Sequence, residues 1–490
     1  MKLDKLLTKR KYMHGLQCPK YLWVTFGAPE LIPEPDIVAE YRINERKIVG
    51  ELVQQLYSGG IEVPIEDFAN HIEQTRGFIK QRKLIFGAGI LVDNIYSKID
   101  ILEPVDNNFW DFIDIKNATD IKSHYISEIS FQKFCCGRAG LKIRKCCIVY
   151  INNEYVRQGG IDPHKMFKIE DITANVIADT ENIQQEIEGM VKVIHEKECP
   201  KITISQHCKD PDECLLKDHC WEFLPVNNVF ELTRGGKKSF ELFTRGICAI
   251  KDIPDGFKLT EKQLIQKKCV LTNSVHISKE DIKNFLNSLL YPLYYLDFES
   301  YMTAIPRFDG TKPYQQIPFQ FSIHIVKDKD SEIEHRSFLA DGIDDPRKKL
   351  ITSLISVLGD KGSVVVYSSF EKTRLRELAE AFPEHKAEID GIVGRIVDLF
   401  APFQDFQYYN SEQRGRASIK AVLPAITGEG YKDMEISGGQ IASISYLNIT
   451  FGEVSDDQKV KTRKELEEYC CLDTKGMVLI VEKLKELIAK

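Results

Sequence analysis

Apolar positions along the first 58 residues recur at helical spacing; Val49, Leu52, Val53 and Leu56 fall on one side of a helix that includes Gly50. From Leu84 the pattern changes to short apolar runs between polar residues. Ile90-Leu91-Val92, Lys98 to Leu102 and Trp110 to Ile115 read as strands. Residues 122 to 140 read as a helix, Cys146 to Ile151 as another buried strand, and residues 179 to 197 as a charged amphipathic helix entering a cysteine-rich loop. Residues 226 to about 285 lack strong strand runs. Within them Gly246 to Pro254 resembles the turn of a helical hairpin, a pattern of small nucleic-acid-binding inserts; a plain helical linker is the alternative. A second α/β pattern opens near Tyr291, with strands at Leu293 to Phe298, Phe319 to Val326 and Val364 to Tyr367, and helices over 371–381 and 463–488. No internal repeat relates the halves.

At 490 residues the chain exceeds one ordinary core, which predicts two or three domains. A 43% hydrophobic, 28% charged composition is that of a soluble globular protein, and no window approaches a membrane span. The basic stretch Met1 to Lys11 is not followed by an apolar segment, so no signal peptide is expected and the reading is cytoplasmic. The net charge of −7 argues against a protein that simply coats a polyanion, although carboxylates gathered around metal can coexist with a basic groove. Thirteen cysteines, six of them in the adjacent pairs 135/136, 146/147 and 470/471, suit a disulfide framework poorly. In a reducing compartment they read as ligands in part and buried thiols for the rest.

Two constellations carry chemistry. Asp100 ends one apolar run, and Asp114 and Lys116 flank Ile115 in the next. Strand alternation puts Asp114 and Lys116 on one face, where carboxylates could hold Mg²⁺ or Mn²⁺ and the lysine could activate water or offset charge on phosphate. Gln132 follows on the next helix, in a Gln-x-x-x-Cys136 stretch. Cys18, far upstream, and Cys208, Cys214 and Cys220, spaced C-x5-C-x5-C, form a set suited to a cubane cluster or tetrahedral zinc. In the second half, Asp297 and Glu299 share a strand face, Glu371 lies where a strand passes into a helix, and Tyr469-x3-Asp473 lies one turn apart on a helix. Asp398 reads as supporting structure.

With these residues in hand, positions 1–225 resemble the RecB-like PD-(D/E)XK nucleases that carry an iron–sulphur staple. The resemblance implies a restriction-endonuclease-like fold, Asp100 and Asp114 as metal ligands, Lys116 as catalytic, Gln132 as a DNA-side residue and the four cysteines as 4Fe–4S ligands, zinc being the alternative. In that family the Gln132 motif ends in Tyr where this chain has Cys136. A first-helix His or Glu often adds a metal ligand there, and Glu51 is the nearest candidate. Residues 288–490 resemble the DnaQ-like DEDDy exonucleases of RNase H-like fold, with Asp297, Glu299, Glu371 and Asp473 as metal ligands and Tyr469 as catalytic; Glu371 stands where Asp is usual. The order of modules, with 226–287 as a helical linker, is similar to a bacterial and archaeal fusion family, whose local signature Pro313 to Ser322 resembles. The expectation is an α/β protein with two metal-dependent sites, acting as a DNA exonuclease in repair, recombination or defence. An RNA exonuclease, or a nucleic-acid-binding scaffold with degenerate sites, are the alternatives.

Overall fold

The computed structural model describes residues 5–106, 108–432 and 434–489 as a mixed α/β protein. It divides into two compact units, one of 1–223 with Thr303–Tyr314, the other of 224–302 with 315–490. Residues 226–287 thus cluster with the second unit. Thr303–Tyr314, which the chain pattern assigns to the second module, clusters with the first. In that segment, Tyr314 N–H donates to the Thr303 carbonyl at 2.9 Å. Arg157 donates to the carbonyls of Pro306 and Arg307 at 2.9 and 2.7 Å, and Ala304 N–H to Glu45 at 2.6 Å.

The first unit is a sheet of β1 (Leu7–Thr8), β2 (Ile61–Glu62), β3 (Ile85–Val92), β4 (Ile95–Val105), β5 (Phe109–Lys116), β6 (Lys142–Ile151) and β7 (Phe167–Asp171). The order is β2-β3-β4-β5-β6-β7, with β1 added beside β4. β3, β4 and β5 form an antiparallel meander; β6 returns parallel to β5 after the helix Ser123–Arg138. β5 is buried on both faces from Trp110 onward, which explains its nearly continuous apolar run. Its Trp110 and Phe112 join the core that also takes Ile129 and Phe131 of that helix. Ile113 and Ile115 face the core that holds Val49 and Val53 of the helix Ile37–Gln54. The period of two therefore puts Asp114 and Lys116 on the same side as Phe112.

The second unit begins with the helices Lys237–Thr244 and Glu261–Thr272 around Val229, Leu232, Leu242, Ile250 and Ile253, and Lys279–Asn287, whose Ile282 joins the core of the long C-terminal helix. Gly246, at φ +79°, turns the chain after the first of these helices. β8 (His276–Ile277) lies between the last two of them and pairs with β14 (Tyr408–Tyr409). The main sheet comprises β9 (Leu293–Tyr301), β10 (Ile317–Val326), β11 (Glu334–Leu339), β12 (Ser363–Val366) and β13 (Ile396–Asp398) in the order β11-β10-β9-β12-β13. β10 is antiparallel to both its neighbours, while β9, β12 and β13 run parallel. Tyr294, Leu296 and Phe298 pack against Leu350, Leu354 and Leu375 of the helices Arg347–Leu358 and Phe370–Ala381. Leu293 and Tyr295 face Met477, Ile480 and Val481 of the 34-residue helix Asp456–Ala489. By the same alternation, Asp297 and Glu299 look toward that long helix. No helix among the described residues is long and apolar enough to cross a membrane.

Candidate active sites

In the second unit, the carboxylates of Asp297, Glu299 and Asp473 have oxygen atoms all within 4.8 Å of one another. β9 delivers the first two, and the Asp456–Ala489 helix delivers Asp473. Glu371 lies beside them, in the first turn of Phe370–Ala381, buried with Oε2 lacking a hydrogen-bond partner. The turn that carries it is specially held: Ser368 sits at φ +118°, and its N–H, like that of Phe400, donates to Asp398 Oδ1, at 3.0 and 2.8 Å. Asp398 thus braces the turn after β12.

Burial raises all four carboxyl groups. Asp297 is pushed well above the usual carboxylate range by burial and then by Asp473, Glu299 and Glu371. Glu299 rises well above it too, through burial and Asp473, against the pull of Lys420. Burial takes Glu371 to about 8, and Asp473 to about 6 despite its hydrogen bonds from Tyr431 and Tyr469. Burial is the largest cause in each case, and for Asp297 and Glu299 the neighbouring carboxylates add to it. Lys420 is the cation that acts on the group; it lies over the rings of Tyr431 and Tyr469, at 5.4 and 4.9 Å, and donates to the Ser437 carbonyl at 2.6 Å. The Cys470 thiol meets Asp297 Oδ2 at 3.4 Å. Tyr469 is buried one helical turn before Asp473, as its spacing predicts. Lys420 and Tyr431 carry no motif and were not expected.

In the first unit, Lys116 meets Asp114 Oδ2 at 2.7 Å and also pairs with Glu128. Lys9 approaches Asp114 Oδ1 at 3.1 Å and Glu128 at 3.6 Å, and Arg46 lies 3.6 Å from Asp100. Asp100 Oδ2 accepts from Ile115 N–H at 2.9 Å, tying β4 to β5. Burial alone would raise Asp114, but Lys116, Lys9 and Arg46 together hold it below the usual carboxylate range. Three cations here face three carboxylates. Lys9, Arg46 and Glu128 were not foreseen, because each is a single charge on a helix with no diagnostic spacing. Glu51 is exposed; the residue of its helix that reaches Asp100 is Arg46.

Gln132 is fully buried and its amide donates to the Lys98 carbonyl at 2.9 Å, tying the helix to β4, while its Oε1 has no hydrogen-bond partner. Cys136 is likewise buried, in the same core.

The cysteine set converges within the first unit. Cys18, Cys214 and Cys220 pack with Tyr21, Val24 and Leu216, together with a further cysteine, Cys199. Cys214 N–H donates to the Cys208 carbonyl at 3.0 Å. Gln17, next to Cys18, donates to the carbonyls of His207 and Asp212 at 3.0 and 2.8 Å, binding the first helix to the loop. Burial pushes the Cys214 thiol up to about 11. Among the described residues, no three of these sulphurs lie within 4.8 Å of one another.

Residues 294–418 match a family model. It is described as "Domain of unknown function (DUF2779)". That match takes in Asp297, Glu299, Glu371 and Asp398 but ends before Tyr469 and Asp473. The chain is also similar to "Uncharacterized protein MG366" of Mycoplasma genitalium, 29% identical over 42% of this chain and 34% of the relative. To its homolog in Mycoplasma pneumoniae it is 28% identical, over 40% of this chain and 32% of that protein. The aligned region spans about a third of these curated relatives' length.

Proposed function

We propose that the chain is a metal-dependent nuclease whose second unit hydrolyses nucleic acid from the 3′ end and whose first unit is a second, RecB-like nuclease. The observation that carries this reading is the group Asp297, Glu299 and Asp473, with oxygens within 4.8 Å of one another and too little positive charge nearby. Buried carboxylates set so closely repel one another strongly unless a cation joins them. An all-oxygen donor set fits a hard divalent ion such as Mg²⁺ or Mn²⁺. The sheet order β11-β10-β9-β12-β13, with β10 antiparallel, supports an RNase H-like fold for this unit. The antiparallel meander, helix and parallel return of β3 to β6 support a restriction-endonuclease-like fold for the first.

Asp297, Glu299, Asp473 and Glu371 would hold the metal. When bound, it would supply polarisation of water and charge stabilisation at phosphate. Tyr469, hydrogen-bonded to Asp473, would orient the attacking water. Lys420 brings positive charge to the rim, where a phosphate would lie. In the first unit Asp100 and Asp114 are the metal-binding pair, and Lys116 is the cation for developing charge. For the cysteines, four thiolates around tetrahedral zinc at about 2.3 Å would sit roughly 3.8 Å apart. The reading favoured here is a 4Fe–4S cluster held by Cys18, Cys208, Cys214 and Cys220, with zinc as the alternative.

The test is digestion of end-labelled single-stranded DNA, double-stranded DNA and matching RNA with Mg²⁺ or Mn²⁺. Asp297→Asn should abolish 3′-to-5′ cleavage with the fold intact by circular dichroism. Full 3′ cleavage by that variant would overturn the reading of the second unit, and faster RNA cleavage would make RNA its substrate.

A further inference from the structure

A second cluster of metal-ligating side chains lies in the second unit apart from the acidic group. His324 on β10 stands directly opposite His335 on β11 in the antiparallel register, their rings 4.6 Å apart. Cys471, on the Asp456–Ala489 helix, completes a set in which one ligand atom from each residue lies within 4.8 Å of the others. His324 is buried, Cys471 half-buried and His335 exposed, so the group is reached from solvent on one side.

Hydrogen bonds hold both imidazoles. His324 Nδ1 lies 2.8 Å from Thr474 Oγ1, and His335 Nε2 lies 2.8 Å from Ser322 Oγ. The two hydroxyls are themselves 2.7 Å apart. One nitrogen of each ring is therefore anchored and oriented while the other is left for a ligand, the arrangement that fixes tautomer and direction in histidine metal sites.

We propose that His324, His335 and Cys471 form a transition-metal site, best suited to Zn²⁺, with a fourth position open to solvent. Two imidazoles and a thiolate are the nitrogen and sulphur donors of a borderline-soft ion, distinct from the all-oxygen group that suits Mg²⁺. The 4.8 Å limit on their separations includes the spacing of about 3.3–3.8 Å between ligand atoms around tetrahedral zinc. The site joins β10 and β11 to the helix turn between Cys470, whose thiol meets Asp297, and Asp473. Zinc there pins the helix that carries Tyr469 and Asp473 to the sheet, acting as a positioning clamp for the acidic group.

The experiment is a Co²⁺ titration of the 490-residue protein as purified, with excess Mg²⁺ present to occupy the carboxylate groups. Wild type should bind one equivalent more than Cys471→Ser or His335→Gln, and that equivalent should carry the thiolate-to-cobalt charge-transfer band and the visible bands of a tetrahedral site. The same equivalent should appear as zinc by elemental analysis after zinc loading and dialysis. Both substitutions lie at half-buried or exposed positions, and circular dichroism with unfolding midpoints establishes that each variant is folded. Equal stoichiometry and identical spectra in wild type and both folded variants would overturn the site. A difference lost in only one variant would overturn the three-ligand assignment.

Discussion

Asp398 illustrates how a charge near a group of buried carboxylates can serve geometry. Its carboxylate accepts from the N–H groups of Ser368 and Phe400, and Ser368 is held at φ +118°, a conformation unfavourable for a residue with a Cβ. Removing the acceptor leaves two N–H groups to find water and lets the strained turn relax, and Glu371 moves with it. Asp398→Ala should therefore cost about 2 kcal/mol in denaturant unfolding, given the worth of hydrogen bonds to a charged acceptor. On the proposed function it should also slow 3′ cleavage, through the turn that carries Glu371. An unchanged midpoint would show that the turn holds without it. Asp398 was legible as support through the resemblance to DnaQ-like exonucleases, in which the acid at that place is not one of the four ligands. Asp297, Glu299, Tyr469 and Asp473 were legible through their period-two and one-turn spacings. Lys420, Tyr431, Lys9, Arg46 and Glu128 were not, since each is a lone residue whose meaning comes from chain segments that meet only on folding.

Among the elements, those with long apolar runs were readable, β5 and β9 above all, because burial on both faces leaves a continuous hydrophobic signature. β11 gave no such signal: its residues are mostly exposed and polar, as an edge strand requires. The helix Asp456–Ala489 contains a glycine whose role periodicity does not reveal. A Cβ on Gly476 would meet Leu423 Cδ2 at 2.8 Å, and Leu423 is fully buried. Alanine would gain about 1 kcal/mol of helix propensity in an open helix. Here the clash with a packed side chain outweighs it, since overpacking typically costs about 1–3 kcal/mol. Gly476→Ala should lower the unfolding midpoint of the second unit; a raised midpoint would mean that Leu423 rotates away freely. The cysteine loop yields a prediction of the same kind. Cys18 precedes one helix and Cys214 lies in a loop nearly two hundred residues on, so a shared cluster would close a long segment of chain. Anaerobically purified protein should absorb broadly in the visible, and Cys214→Ser should bleach it and destabilise the first unit. A colourless protein with stoichiometric zinc would replace the iron assignment while keeping the staple.

Over the whole molecule, the two carboxylate sites differ in one physical respect, their compensation by protein cations. In the first, Lys9, Lys116 and Arg46 already answer Asp114, Glu128 and Asp100, and Asp114 is held low. A divalent ion there must displace or share with Lys9 before it gains the carboxylates. In the second, Asp297, Glu299, Glu371 and Asp473 are all raised and have Lys420 as their cation, so an entering ion relieves repulsion at once. The same chain should thus show two metal requirements. Asp297→Asn isolates the first site and Lys116→Ala the second, so cleavage by each variant can be titrated with Mn²⁺ on 5′- and 3′-labelled DNA. The second site should reach half-maximal rate at the lower concentration, by about tenfold or more, equivalent to roughly 1.4 kcal/mol of binding. Metal should also raise the melting temperature of the Lys116→Ala protein more than that of Asp297→Asn, by mass action on the native state. Lys9→Ala, in the Asp297→Asn background, should move the first site's midpoint down toward the second's. Midpoints that coincide, or stand in the reverse order, would show that protein cations do not govern metal entry here.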